Sequence, residues 1–215
     1  MEFQGFPKLA RLSREIIVSE KIDGTNASIG IAPLSEISPD LHPKVIYSND
    51  EFALFAGSRT RWLTTEDDNY GFAKWCLKNA EDLMQLGVGR HFGEYWGQGC
   101  QRNYGLKEKR LSLFNVSRWC LHGTAPALLK TDDPRIEKYQ DVLPACVGLV
   151  PILYQGVFDM DEIWNCLHRL QYDGSVAAPG FMDAEGIVIW HSAANKGFKK
   201  TLKHDDEPKS VSKRR

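Results

Sequence analysis

The chain has 215 residues, 42% of them hydrophobic and 26% charged, close to the average for a globular protein and enough to bury one sizeable core. Lysine and arginine number 27 against 28 aspartates and glutamates, so the formal net charge of −1 excludes a global basic signature of nucleic-acid binding and leaves any such role to local clusters. The cysteines Cys76, Cys100, Cys120, Cys146 and Cys166 form no CxxC pair and no metal-ligand spacing, which suits a reducing, cytoplasmic compartment better than a disulfide framework.

The N-terminal stretch MEFQGFPKLARLSRE lacks a basic segment followed by an apolar one. No apolar run approaches the ~18 residues of a membrane span, so a soluble protein with no membrane partner is expected. Strand-like runs rich in β-branched and aromatic residues follow at about 15–20, 26–32, 44–48, 53–60, 90–96, 110–117, 148–154, 185–190 and 197–202. Phe72, Trp75, Cys76, Leu83 and Leu86 recur near helical spacing and predict one helix over 70–86, stopped at Gly87. Ile163, Trp164, Leu167 and Leu170 predict a second helix over 159–171, beginning near Asp159, and a shorter helical stretch falls at 134–142. Segments 33–43 and 173–184 read as loops, and the polar, basic tail 204–215 as frayed. Many strands with interspersed helices predict an α+β fold.

The chemistry is concentrated in Glu20-Lys21-Ile22-Asp23-Gly24-Thr25-Asn26. Lys21 ends the run Ile16-Ile17-Val18, and an amine drawn out of water is more readily the neutral nucleophile. Gly24 lets backbone approach closely, although Asp-Gly by itself is also a common hairpin turn. Further strings follow in order: Ser58-Arg59 after an apolar strand, Phe92-Gly93-Glu94-Tyr95-Trp96-Gly97, Leu113-Phe114-Asn115-Val116, Glu185-Gly186-Ile187-Val188-Ile189 and Phe198-Lys199-Lys200-Thr201-Leu202. Taken singly, each has an ordinary explanation: a solvated arginine, a carboxylate on a wet strand face, a core phenylalanine, a basic surface strand. Together the six strings span residues 20 to 203.

In that order the strings resemble the nucleophile motif and the following motifs of the covalent nucleotidyltransferases, which comprise ATP-dependent RNA and DNA ligases and mRNA-capping enzymes. The first string is most similar to the RNA ligase 2-like family. The resemblance implies an α+β nucleotidyltransferase, ATP-grasp-like ligase core, with antiparallel sheets flanked by helices. It implies an adenylyltransferase domain over 1–203 followed by the tail. It also implies Lys21 as nucleophile, with Asp23, Glu185 and Lys199 completing the catalytic set. Glu20, Ile22, Asn26, Arg59, Glu94, Phe114 and Lys199 would hold the nucleotide. Within that set Glu94 would accept the ribose hydroxyls, Phe114 would stack on the purine, Lys199 would face the α-phosphate, and Asn26 would approach the 5′-phosphate of the nucleic acid. Glu185 would hold Mg2+ or Mn2+, and ATP rather than GTP or NAD would be the donor.

The implied activity is ATP-dependent joining of a 3′-hydroxyl to a 5′-phosphate of RNA through lysyl-AMP, a chemistry used in RNA repair. The RNA ends could be nicked, hairpin or single-stranded. An ATP-dependent DNA ligase core and a non-catalytic RNA-end-binding module are the alternatives; a guanylyltransferase is disfavoured because no OB-fold follows. RNA contacts are expected from Arg59-Thr60-Arg61, from the cations between Arg102 and Arg110 with Tyr95, Trp96 and Tyr104 beside them, and from Lys209 to Arg215. Family members often carry histidine at the position of Asp23 and a second lysine at that of Thr201. Lys200 and Lys203 are the other candidates for that charge. Only a short stretch follows Lys203, so a nearly bare core is expected, with a partner protein standing in for the family's appended C-terminal domain.

Overall fold

The β-branched run ahead of Lys21 forms the central strand of a sheet because both its neighbours pair with it along their lengths. In the computed structural model, which describes residues 3, 5, 6, 8–114, 143–203 and 205, the chain divides into two units. One is formed by residues 1–22 and 151–215, the other by 23–150, so the chain passes between units inside the Lys-x-Asp-Gly string and again at Val150-Pro151. The span 1–203, expected as the adenylyltransferase domain, takes in residues of both units. The expected helix at 134–142, Asn115, Val116, Cys120 and the cationic tail from Lys209 lie outside the described residues.

The first unit is a four-stranded antiparallel sheet. Its strands are β1 (Glu15–Lys21), β8 (Ile152–Val157), β9 (Gly186–His191) and β10 (Lys196–Thr201), in the order β10-β9-β1-β8. Helix α3 (Met160–Tyr172) packs on one face through Ile163, Cys166, Leu167 and Leu170, against Ile16, Val18 and Ile187. Its N-cap is Asp159, whose carboxylate accepts from the Asp161 amide at 2.8 Å, and the acidic Asp161 and Glu162 sit in the first turn where the helix dipole favours them.

The second unit is a six-stranded sheet in the order β3-β4-β2-β5-β6-β7. Its strands are β2 (Thr25–Pro33), β3 (Tyr47–Ser48), β4 (Phe52–Gly57), β5 (Gly89–Gly97), β6 (Lys109–Leu113) and β7 (Val147–Leu149). All pairs are antiparallel except β6 with β7. One face is covered by α1 (Phe72–Lys78) and α2 (Ala80–Met84), with Tyr95 of β5 packed on Phe72 and Trp75 at ring distances of 5.0 and 5.7 Å.

The single helix expected over 70–86 is two short ones. Tyr70 and Gly71 have φ of 53° and 78°, so no helix starts before Phe72; the Asp68 carboxylate instead accepts from the amides of Ala73 and Lys74. Asn79 then breaks the run: its side chain donates to the Trp75 carbonyl at 2.7 Å, a local bond that competes with helix continuation. The run at 148–154 is likewise two strands, separated at Pro151, which has no amide proton for a ladder. The run at 44–48 shortens to β3 behind a tight turn at His42–Lys44. Among the described residues no helix is long and apolar enough to cross a membrane.

Candidate active site

Lys21 is the last residue of β1, opposite Gly186 of β9. Glu185, immediately before β9, reaches back so that its Oε2 lies 2.6 Å from Lys21 Nζ. The lysine side chain is 20% exposed and the carboxylate 2%, so the pair is shielded enough for the charges to interact strongly. Gly186 makes the close strand approach: a Cβ there would run into the Lys200 carbonyl oxygen and come within 2.7 Å of Thr201 Cα.

Register decides which of the basic residues of β10 shares the lysine's side of the sheet. Lys199 lies across from Val188 and, beyond it, Ser19, while Thr201 lies across from Gly186 and Lys21. Strand alternation therefore puts Lys199, Thr201 and Lys21 on one face and Lys200 on the other. Lys200 stands 5.2 Å over the ring of Trp164 in α3 and 3.0 Å from Asp205; Lys203 pairs with Asp183 at 2.7 Å. Lys199 is exposed.

Glu20, expected among the nucleotide contacts, shares the α3 face with Lys200. Its Oε1 accepts from Ser175 Oγ at 2.5 Å, and its Oε2 from the amides of Val176 and Ala177 at 2.9 Å each. Burial pushes the Glu20 carboxyl above its ordinary value, against the lowering effect of these bonds and of Arg169. The side chain thus ties the loop after α3 to the nucleophile strand. Ile22, next to Lys21, is buried.

The second unit gathers Asp23, Asn26, Arg59 and Glu94. Glu94 of β5 lies directly across from Asn26 of β2. Its carboxylate accepts from the Gly24 amide and from Asn26 Nδ2, both at 3.1 Å, and Arg59 Nε donates to Asn26 Oδ1 at 2.6 Å. Three separate strings of the sequence thereby form one polar chain. Gly24 is required here, because a Cβ would meet the Tyr95 carbonyl oxygen and come within 2.7 Å of Trp96 Cβ. Phe114 follows β6 and is 39% exposed; its amide donates to the Phe92 carbonyl at 3.0 Å.

Asp23 is gripped by the segment between β5 and β6. Arg102 Nε lies 3.0 Å from Asp23 Oδ2, and the Asp23 amide donates to the Tyr104 hydroxyl at 2.7 Å. Tyr104 is buried edge-on against Trp96. Gln101, Asn103 and Tyr104 all have positive φ (42°, 63° and 51°), a conformation uncommon outside glycine and kept only where surroundings over-determine it. Asn103 and Gly105 are turn-forming residues, but nothing in the sequence joins this segment to Asp23.

Among the described residues, several members of the cationic clusters expected to meet RNA are engaged within the protein. Arg61 pairs with Asp67 at 2.7 Å, Arg110 with Glu108 at 2.7 Å, and Arg102 with Asp23, while Lys109 donates to the Tyr70 carbonyl.

No family model and no curated protein matches the chain at the level of sequence. Solved structures do match it in fold. The chain is similar to the RNA ligase of Naegleria gruberi solved as a point variant with ATP and manganese, at 17% identity and a TM-score of 0.53 over 87% of this chain and 48% of that one. It is similar to a second variant of that ligase with AMP and manganese, at 17% identity and a TM-score of 0.51 over 88% and 50%. An apo variant gives 19% identity and a TM-score of 0.53 over 91% and 53%. The chain spans about half the length of these structures. At such identities the likeness concerns the fold alone: the chain shares the α+β fold of these Naegleria gruberi structures.

Proposed function

We propose that the chain is the adenylyltransferase core of an ATP-dependent RNA ligase. Lys21 Nζ attacks the α-phosphorus of ATP, the bond to pyrophosphate breaks, and a lysyl-AMP phosphoramidate forms. AMP then passes to the 5′-phosphate of an RNA end, and a 3′-hydroxyl attacks that phosphorus as AMP leaves.

The observation that carries this reading is the 2.6 Å pair between Lys21 and Glu185, which joins the heads of two strings 164 residues apart. An ammonium paired with a carboxylate has no lone pair, so Lys21 Nζ must give up a proton before it attacks and a second as the phosphoramidate forms; the pair with Glu185 is a resting arrangement. Glu185 is a hard oxygen donor suited to Mg2+ or Mn2+. Such an ion would keep most of its waters and meet this one carboxylate and the substrate phosphates. When bound, such an ion supplies charge neutralisation at the phosphates. Lys199, on the nucleophile's face of the sheet, is the cation of β10 suited to balance charge on the α-phosphate oxygens. In the other unit, Glu94 would exchange its bonds to Gly24 and Asn26 for the ribose hydroxyls, and the exposed ring of Phe114 would stack on the base.

The test is incubation with labelled ATP and Mg2+ or Mn2+, denaturation, and a search for label on the protein, followed by an offer of 5′-phosphorylated RNA and DNA ends as nicks, hairpins and single strands. Label on the protein with RNA joining supports the proposal. Equal joining of DNA supports the DNA ligase alternative, and RNA-end binding without label supports a non-catalytic module. The expected setting is RNA repair in the cytoplasm.

A further inference from the structure

On the sheet face that carries Glu94 and Asn26, the second unit builds a ladder of rings and one cation. Arg90, Phe92 and Glu94 alternate along β5, so all three point to the same side, across from Gly30, Ser28 and Asn26 of β2. The Arg90 guanidinium carbon lies 5.0 Å from the ring of Phe92 and 5.0 Å from that of Trp62. Trp62 in turn packs on Phe55 at 5.2 Å.

Two strand glycines make room for that indole. A Cβ on Gly30 would come within 2.8 Å of Trp62 Cη2, and one on Gly57 within 3.1 Å of Cε3. Glycine inside a strand weakens it, so two on neighbouring strands under one ring mark a position where the ring must lie close to the sheet. The result is a guanidinium within cation–π distance of two rings at once. Among the described residues no carboxylate pairs with Arg90; its one hydrogen bond is a long one, 3.5 Å, to Ser28 Oγ. This sets it apart from Arg61, Arg102 and Arg110, each bound to an internal carboxylate. Phe92 is 40% exposed. At about 3.4 Å per residue, Phe92 and Arg90 stand roughly 7 and 14 Å along β5 from Glu94, a span that a few nucleotides of single strand can cover.

We infer that Phe92, Arg90 and Trp62 form a subsite for single-stranded RNA next to the nucleotide-binding residues, Phe92 stacking on a base and Arg90 meeting a phosphate. Stacking rings with an interleaved cation are what a single strand of mixed sequence needs, since every base has a π-face and every linkage a charge. The inference rests on the RNA ligase reading for its choice of RNA, and its test is separable from that reading.

The full chain is titrated with a fluorescently labelled, 5′-phosphorylated RNA oligonucleotide over a salt series, and lysyl-AMP formation is measured without RNA. Arg90→Ala should weaken RNA binding roughly tenfold and flatten the log–log salt slope by about 0.7, the loss of one single-strand phosphate contact. Arg90→Lys should keep the slope but recover only part of the affinity, because an ammonium lacks the planar, multi-donor face of a guanidinium. Phe92→Leu, at an exposed position, should lower affinity without changing the slope. Lysyl-AMP formation should be unchanged in all three. Wild-type RNA affinity in both Arg90→Ala and Phe92→Leu would overturn the inference, as would loss of lysyl-AMP in step with RNA binding. If the wild type forms no lysyl-AMP, the ligase reading fails while the binding titration still decides this one.

Discussion

Glu20 offers the sharpest structural test, because the family resemblance assigns it to the nucleotide and the geometry assigns it to the fold. Its carboxylate takes three donors from one loop: Ser175 Oγ, which is buried, and the half-buried amides of Val176 and Ala177. Hydrogen bonds to a charged acceptor contribute about 1.5–3 kcal/mol where water cannot replace them and less where it can. Relief of the carboxylate's own desolvation offsets part of the loss, so Glu20→Ala should cost about 2–3 kcal/mol. For a protein of this size that lowers Tm by roughly 4–12 °C. Glu20→Gln should stay within about 1 kcal/mol of wild type, since its amide oxygen can accept both backbone amides and the Ser175 hydroxyl can turn to accept as well as donate. A pH series adds a signed readout. Burial raises the folded-state pKa of Glu20 above its ordinary 4.5, so the associated stability is full below about that pH and is lost as pH rises through the folded value. The glutamine variant does not titrate there, so wild type should lose ground against it from acid toward neutral pH. Thermal melts followed by circular dichroism measure all of this. If Glu20→Ala melts like wild type yet fails to form lysyl-AMP, Glu20 touches the nucleotide and the assignment to the loop is refuted.

Other outcomes follow from the same geometry. Gly24→Ala should cost about 1–3 kcal/mol by forcing a methyl against the Tyr95 carbonyl and Trp96, read as a lower denaturant midpoint. Lys199→Ala should slow lysyl-AMP formation by about 10²-fold or more, as loss of a transition-state charge partner does, whereas Lys200→Ala, on the opposite face, should leave the rate within a few-fold. A single-turnover labelling assay separates the two, and an equal effect would contradict the register argument. Tyr104→Phe removes the acceptor of the Asp23 amide and should destabilise by about 1 kcal/mol in equilibrium unfolding.

The strands bearing the site were legible because their composition is local information. Ile16-Ile17-Val18 announces β1, the alternation around Glu94 announces β5, and Asp159 marks the start of α3. The α1–α2 break was hidden because Asn79 acts through a side-chain bond that apolar spacing does not record. The two-unit division was hidden because both crossings fall inside strings that read as continuous, one within Lys-x-Asp-Gly and one beside Pro151. At the candidate site, the motif order named Lys21, Glu185, Asn26 and Glu94 but paired none of them; the Lys21–Glu185 and Asn26–Glu94 contacts are seen only in the structure. The motif order could not choose among Lys199, Lys200 and Lys203, which only the pairing of β9 with β10 distinguishes. Nor could it reveal that Arg61, Arg102 and Arg110 are taken by carboxylates, or that Arg90, outside every expected cluster, lies 5.0 Å from each of two rings.

The central claim is that Lys21 is a nucleophile toward ATP. Its most direct measurement is peptide mass mapping after incubation with ATP and Mg2+ or Mn2+, on wild type and on Lys21→Ala. The account predicts one added AMP on the peptide that holds Lys21, none in the variant, and none when NAD replaces ATP. An AMP adduct on another residue, or one that survives Lys21→Ala, would contradict it.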